Sequence, residues 1–269
     1  MVSIEEAARA PDSQPRPDSE FARKVVVVTG GSVGIGRAVA QRFAKQGAHV
    51  VIAGRNIGAA QRAADEIARE TKVGALAAPA DVSVPEQCEK LIAEAVRHFG
   101  AVDVLVNNAG HFALVPLLEA EAQAAARFFD TNVLGPLHCA RALARWAIEA
   151  KRTAVIVNIS SIAGARPAPG CGLYSASKAA LDSLTKTMAL EWTSKGIRVN
   201  GVAPGHVNTE GVMADFASGR LDYAAMIGRI PAGRIADVQD VAEAVIFLAS
   251  EKSRHIVGQT LTVDGGEGF

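Results

Sequence analysis

The sequence predicts an α/β protein: a single Rossmann-type domain in which helices flank a doubly wound parallel β-sheet of about seven strands. From Lys24 onward, short β-branched runs alternate with longer Ala-rich segments of helical periodicity. The early runs are apolar throughout, as expected of strands that helices cover on both faces. In order, the runs are KVVVVT, HVVIAG, VGALAAPA, VDVLVN, TAVIVNIS, IRVNGVAP and TLTVD.

The composition is that of a chain with a large core. Hydrophobic residues make up 49% of the 269 positions, and 28 basic side chains balance 28 acidic ones, which argues against a nucleic-acid partner. The three Cys and six His show no metal-ligand spacing, so we predict no metal. Residues 1–23 are rich in Pro and charge, which predicts a flexible N-terminal extension before a domain of residues 24–269. Since no apolar run could span a bilayer, we expect no membrane association and a cytoplasmic location.

The turn TGGSVGIG separates the first predicted strand from a helix that starts near Arg37. Glycines let the backbone approach a phosphate closely, and the helix N-terminus offers unpaired N–H groups and a positive dipole end. The turn therefore predicts a pyrophosphate site. Arg37 and Ala38 stand where a P-loop needs Lys and Ser or Thr, which argues against magnesium-phosphate chemistry.

The second predicted strand ends in Gly54 and Arg55. At this place a dinucleotide-binding domain reads the adenosine ribose, with a carboxylate for a free 2′-hydroxyl or an arginine for a 2′-phosphate. Arg55 therefore favours NADP(H) over NAD(H) as the cofactor. A solvated surface arginine is the alternative reading.

Tyr174 and Lys178 are four residues apart in a predicted helix, and so share one face. A nearby cation favours the phenolate, which predicts a lowered pKa for Tyr174 and a role in proton transfer. An unrelated surface pair is the alternative.

Further motifs follow in order: Asp81-Val82, NNAG ending at Gly110, DTNVLG around Asn132, NISSIAG with Ser161 thirteen residues before Tyr174, and PGHVNT. Together with the turn and the Tyr174 pair, they resemble the short-chain dehydrogenase/reductase family over about residues 24–269. The C-terminal run resembles its 3-oxoacyl-carrier-protein reductase branch.

The resemblance implies hydride transfer between NADP(H) and a small-molecule ketone or secondary alcohol. The ketones that it implies include β-ketoacyl groups. It implies that Tyr174 transfers the proton, that Lys178 lowers the phenol pKa and holds the nicotinamide ribose, that Ser161 binds the substrate oxygen, and that Asn132 holds a relay water. The cofactor contacts that it implies are Gly30, Ser32, Val33, Gly34, Ile35, Gly36, Arg55, Asp81, Val82, Asn108, Ala109, Gly110, Tyr174, Lys178, Pro204, Gly205, Val207 and Thr209. Val33 departs from the basic residue of many NADP-using relatives, so recognition of the 2′-phosphate would depend on Arg55.

Substrate choice is expected to depend mainly on residues 206–230. Its candidate wall residues are Met213, Phe216, Tyr223 and Met226, together with Phe112, Arg166 and Cys171, although ordinary packing is an equal alternative for each. His111 and His206 are expected to be pocket or packing residues rather than acid–base groups.

Two helical patterns, residues 121–150 and 173–195, predict either core helices or an interface in a homodimer or homotetramer. A non-catalytic NADP(H)-binding redox sensor stays open as an alternative function.

Overall fold

The computed structural model describes residues 19–219 and 222–268, and within them a parallel sheet of seven strands forms the centre. The strands are β1 (Val25–Thr29), β2 (His49–Gly54), β3 (Ala75–Pro79), β4 (Val104–Asn107), β5 (Ala154–Ile159), β6 (Ile197–Pro204) and, after the short strands β7 (Val207–Asn208) and β8 (Ala236–Asp237), β9 (Thr260–Val263). The order across the sheet is β3-β2-β1-β4-β5-β6-β9. Each predicted run contributes one strand, so the predicted doubly wound sheet is confirmed.

Helices cover both faces of the sheet. They are α1 (Gly34–Lys45), α2 (Ile57–Thr71), α3 (Pro85–Phe99), α4 (Ala122–Phe129), α5 (Gly135–Glu149), α6 (Gly172–Trp192), α7 (Glu210–Ala217), α8 (Tyr223–Ile227) and α9 (Val238–Ala249). One core layer contains residues of α1, α2 and α9, and the other contains residues of α3, α5 and α6. None of the helices in the described ranges is long and apolar enough to cross a membrane.

Strand β1 shows why the predicted runs are apolar throughout. Val26 and Val28 belong to the core layer under α1, whereas Val25 and Val27 belong to the opposite layer. Successive side chains of a strand point to opposite faces, so both sets must be apolar when helices cover both sides.

The strand order reverses between β1 and β4. Strand β1 pairs with β2 on one side and with β4 on the other. The connections therefore leave in opposite directions at this point, and a crevice opens beyond the carboxyl ends of the two strands. The glycine turn after β1 lies in that crevice.

The predicted helix over residues 121–150 is interrupted. Between α4 and α5 the chain forms a π-helical segment, Asp130–Leu134, which contains Asn132. Such wide turns are rare, and they often occur at functional sites. The apolar periodicity continues through the segment and gave no sign of it.

The N-terminal boundary lies earlier than predicted. Residues 1–18 of the predicted extension lie outside the described residues, but residues 19–23 pack on the domain. Phe21 is 4% exposed, and its ring meets the ring of Phe43 edge-on with 5.0 Å between centroids. The Glu20 carboxylate also accepts a hydrogen bond of 2.8 Å from the backbone N–H of Glu251.

Replacing Phe21 by Ala should therefore lower the free energy of unfolding by about 2 kcal/mol, less than the ~3–5 kcal/mol of a rigid core site because the neighbouring residues 19, 20, 22 and 23 are only partly buried or exposed and can adjust. Urea unfolding curves measure the change. Leu118→Ala, at a fully exposed position, is the control and should stay within about 0.5 kcal/mol of the parent. If both variants unfold like the parent, residues 19–23 contribute nothing to the fold.

Candidate functional site

The turn between β1 and α1 has no room for side chains at its closest point. A Cβ atom on Gly36 would lie 2.3 Å from the Gly30 carbonyl oxygen and 2.4 Å from Nδ2 of Asn108. Gly30 also has a φ of +62°, which few other residues adopt. The amide of Asn108 donates to the carbonyl oxygens of Thr29 and Gly30, both at 3.0 Å. The end of β4 thus determines the shape of the turn.

The N-terminus of α1 opens into the crevice. Its N-cap residue is Val33, whose side chain cannot accept a hydrogen bond from the first turn. The unpaired N–H groups and the positive end of the helix dipole are therefore available to an anion.

A cavity of about 610 Å³ lies over this turn. Many predicted cofactor contacts line it: Gly30, Ser32, Val33, Gly34, Ile35, Arg55, Asp81, Val82, Asn108, Ala109, Gly110 and Thr209. Its volume and its lining by the glycine turn suit a nucleotide-sized ligand. The other six predicted contacts do not line this cavity: Gly36, Tyr174, Lys178, Pro204, Gly205 and Val207.

Several lining residues were not predicted. They are Asn56, Ala80, Thr131, Glu210 and Gly211, together with Gly54, which was noted only for the room that it leaves. Gly54, Asn56, Ala80 and Glu210 adjoin predicted cofactor contacts and could have been found from the strand ends, whereas Thr131 lies in the π-helical segment and Gly211 in α7. Asn56 had a further signal, because its side chain caps α2.

Hydrogen bonds and nearby positive charges at one end of the cavity keep the side chain of Asp81 ionised. The Asp81 carboxylate accepts from the hydroxyl of Ser83 at 2.7 Å and from its backbone N–H at 3.0 Å. The hydrogen bonds from Ser83, together with the charges of Arg55 and Arg127, hold the pKa of Asp81 below its usual value, although burial opposes them. Arg55 is exposed, and its guanidinium makes no hydrogen bond or ion pair with any described residue.

The predicted catalytic residues form a separate cluster beside the cavity. Lys178 is 4% exposed, and its Nζ donates to the Ile159 carbonyl oxygen at 2.8 Å. Nζ lies 5.7 Å from the centroid of the Tyr174 ring. The Ser161 hydroxyl lies close enough to the Tyr174 phenol to lower the phenol pKa. Burial lowers the pKa of Lys178 to about 8, against the opposing charge of Asp182.

The pKa of Tyr174 moves in the opposite direction from the one predicted. Burial raises it, and the nearby Ser161 hydroxyl only partly offsets this effect. The net shift is therefore opposite to the predicted one, because a poorly hydrated site disfavours the charged form of the phenol.

Asn132 connects the loop after β4 to α6. Its Oδ1 accepts from the backbone N–H of His111 at 2.6 Å. Its Nδ2 donates to the His111 carbonyl oxygen and to the Ser177 hydroxyl, both at 2.9 Å. Both amide hydrogens are thus used within the protein, and the predicted relay water could bond only to Oδ1. That role stays a prediction.

The candidate wall residues between positions 206 and 230 differ in their surroundings. Met226 is buried in a small core with Ile230 and Ile235, so it is a packing residue. Phe216 packs edge-on against Tyr223, with 5.1 Å between ring centroids.

On the opposite loop, Phe112 is 57% exposed, and its ring meets the Tyr174 ring edge-on at 5.0 Å. Phe112 is thus a predicted wall residue that lies directly against Tyr174. Met213 is exposed, Cys171 precedes α6, and Arg166 donates to the Glu267 carbonyl oxygen at 2.8 Å.

Comparisons with known proteins agree with this geometry. Residues 30–267 match a family model described as enoyl-(acyl carrier protein) reductase. The chain is 38% identical to a sorbitol dehydrogenase of Cereibacter sphaeroides over 90% of its length and 96% of that protein. It is 39% identical to the 3-oxoacyl-[acyl-carrier-protein] reductase FabG of Chlamydia muridarum over 93% of its length and 99% of that protein. Among solved structures, ElxO with NADP bound superposes with a TM-score of 0.85 at 34% identity, covering 91% of this chain and 98% of the other.

Replacing Gly36 by Ala should weaken the binding of a nicotinamide dinucleotide at least about tenfold, because the new methyl group displaces the turn and overpacking costs about 1–3 kcal/mol. Fluorescence titration with NADPH measures the change. Gly58→Ala is the matched control, since a Cβ there meets nothing closer than 3.6 Å. Unchanged affinity in Gly36→Ala would show that the turn does not hold the cofactor.

Proposed function

The chain belongs to the short-chain dehydrogenase/reductase family of oxidoreductases, and on that basis we propose that it is an NADP(H)-dependent enzyme that interconverts a ketone and a secondary alcohol. The observation that carries the proposal is that the cavity meets the cluster of predicted catalytic residues, Asn132, Ser161, Tyr174 and Lys178. Gly110 lines the cavity, and a Cβ on it would lie 3.6 Å from Asn132 Oδ1 and 3.8 Å from Lys178 Nζ. A ligand that fills the cavity past Gly110 therefore reaches the cluster.

The residues that line the cavity fit a nicotinamide dinucleotide. The glycine turn and the N-terminus of α1 suit the pyrophosphate, Asp81 suits the adenine edge, and Arg55 suits a 2′-phosphate. When bound, the nicotinamide would supply or accept the hydride.

Tyr174 is proposed as the group that transfers the proton. In the direction of reduction its phenol gives a proton to the substrate oxygen as negative charge develops there. The phenol keeps its proton at neutral pH, as a donor must, while its raised pKa makes it a weaker acid and leaves stabilisation of the phenolate to Lys178. The Ser161 hydroxyl, which lies beside the phenol, would turn its one hydrogen to the same substrate oxygen once substrate is bound.

Lys178 and Asn132 are proposed to support this transfer. With a pKa of about 8, Lys178 is mostly protonated at neutral pH, so its charge stabilises the phenolate that remains after donation. Asn132 holds the backbone of His111, and through it the loop that carries Phe112. Both residues thereby maintain the geometry in which Tyr174 acts.

Arg55 supports a preference for NADP(H) over NAD(H). It is exposed just after β2, and within the described ranges it makes no hydrogen bond or ion pair that would hold it away from a phosphate. The resemblance to ElxO with NADP bound agrees with this assignment.

The relatives suggest different substrates. A sorbitol dehydrogenase and a 3-oxoacyl-[acyl-carrier-protein] reductase are almost equally similar to this chain, at 38% and 39% identity. A ketone, with β-ketoacyl groups included, is the class proposed here, because the apolar ring of Phe112 packs on Tyr174. Assembly into a homodimer or homotetramer and a cytoplasmic location stay predictions. Leu190 on α6 and Ile148 on α5 are exposed apolar side chains that an interface could cover.

Replacing Tyr174 by Phe should leave NADPH binding intact and lower kcat by at least about 10², the low end for a positioned general acid. Assays of NADPH oxidation with a panel of ketones measure turnover, and fluorescence titration checks that cofactor binding is retained. A variant that keeps full turnover would exclude Tyr174 as the proton donor.

Replacing Arg55 by Ala should raise the dissociation constant of NADPH about tenfold or more, because a charge-assisted hydrogen bond contributes about 1.5–3 kcal/mol. The dissociation constant of NADH should change little, since NADH lacks the phosphate. Arg69→Ala, at the other end of α2, is the matched control. Equal losses for both cofactors would mean that Arg55 does not read the 2′-phosphate.

A further inference from the structure

A second pair of polar side chains lies near the predicted catalytic cluster. Oε1 of Glu267 is 2.6 Å from Nδ1 of His206, and Oε2 accepts from the backbone N–H of His206 at 3.1 Å. One carboxylate thus holds both the backbone and the ring of the same histidine. The Glu267 side chain is only 10% exposed.

Both residues follow the carboxyl ends of strands, at the end of the sheet where the candidate site lies. His206 stands two residues after the end of β6, and Glu267 follows β9, the neighbour of β6. On the other side β6 pairs with β5, after which Ser161 follows. The Glu267 carbonyl oxygen also accepts from Arg166, in the loop beyond Ser161. The pair therefore lies in loops at the carboxyl end of the sheet, the same end as Ser161, where a ligand of such a sheet binds.

The Glu267 carboxylate is well suited to orient the ring. Burial raises its pKa, but the hydrogen bonds from the ring and the backbone of His206 outweigh burial and hold the pKa below its usual value. Glu267 is therefore ionised at neutral pH and accepts the Nδ1–H of His206. A carboxylate that fixes one ring nitrogen in this way determines where the other nitrogen points.

The other ring nitrogen of His206 is available to a ligand. Nε2 makes no hydrogen bond with any residue in the ranges 19–219 and 222–268, and the side chain is 34% exposed. A neutral ring offers Nε2 as an acceptor, and a protonated ring offers it as a donor. A substrate hydroxyl can pair with either form, and an ester or carboxylate oxygen with the protonated form.

We propose that His206, oriented by Glu267, is a specificity-determining residue that binds a second oxygen atom of the substrate. The inference rests on the proposed function and deepens it: the preferred substrates are ketones that carry a hydroxyl or ester group in addition to the reacting carbonyl. His206 takes no part in the proton transfer itself, which belongs to Tyr174.

The test compares 4-hydroxy-2-butanone with 2-pentanone and ethyl acetoacetate with 2-heptanone, the alkyl ketones of the same chain length. The readout is the ratio of kcat/KM for the oxygen-bearing ketone to that for the alkyl ketone. Replacing His206 by Phe should lower this ratio about five- to tenfold, as expected for the loss of one hydrogen bond. The control is His255→Phe. His255 is exposed and precedes β9, at the amino ends of the strands and away from the site, so this variant should leave the ratio unchanged.

Glu267→Gln is the second variant, because it keeps the size of the side chain and removes the charge that orients the ring. It should lower the same ratio about two- to threefold while the rates for the alkyl ketones stay close to those of the parent. If the ratio survives in both variants, or if all ketones lose the same factor, His206 has only a structural role and the inference is wrong.

A chain that oxidises NADPH with none of the four ketones would contradict the proposed function. The dissociation constants of the same ketones, measured by calorimetry with NADPH bound, would then test the inference alone. A lower affinity of His206→Phe for the oxygen-bearing ketones only would support it, and equal affinities would overturn it.

Discussion

The site depends on the contact between the turn after β1 and the first residues after β4. The Thr29 hydroxyl accepts from the backbone N–H groups of Asn108 at 3.0 Å and Ala109 at 3.1 Å, while the Asn108 side chain returns two bonds to the turn. These bonds join the two strands at which the sheet order reverses. They also fix the start of the loop that continues to His111, whose backbone Asn132 holds. One set of contacts thus couples the cavity over the turn to the cluster around Tyr174 and Lys178.

A buried chain of neutral polar groups positions α6 against the sheet. Asn107 of β4 donates to Asn158 of β5 at 2.9 Å, and Asn158 donates to the Thr185 hydroxyl on α6 at 2.8 Å. Thr185 lies seven residues, or about two turns, after Lys178, so the two share a helix face. Because buried polar groups without partners are costly, this chain opposes rotation or sliding of α6. The depth at which Lys178 is buried, and hence its lowered pKa, follows from that constraint.

The sequence predicted the features that repeat or that follow from chain order, and missed those that depend on three-dimensional contacts. Strands covered on both faces must be apolar, so the runs predicted the sheet, and the turn and catalytic motifs have spacings that a reader can count. The π-helical segment Asp130–Leu134 changes hydrogen bonding without changing periodicity. Phe21 is a single apolar residue in a polar stretch. The pKa direction of Tyr174 depends on burial, and the pairing of His206 with Glu267 joins residues that are distant along the chain.

Under the proposed function, the two sides of the substrate cleft differ in character, and this difference orients the substrate. On the side of β4, Phe112, Leu114 and Leu117 are exposed apolar side chains, and Leu117 packs close to Gly172 at the start of α6. On the side of β6, His206 presents a polar ring. Exposed apolar residues grouped in this way are typical of a binding surface. A ketone with one alkyl and one oxygen-bearing substituent then has one favourable orientation with its carbonyl oxygen at Tyr174. One face of the carbonyl is therefore presented to the cofactor, and the alcohol formed should have a single configuration.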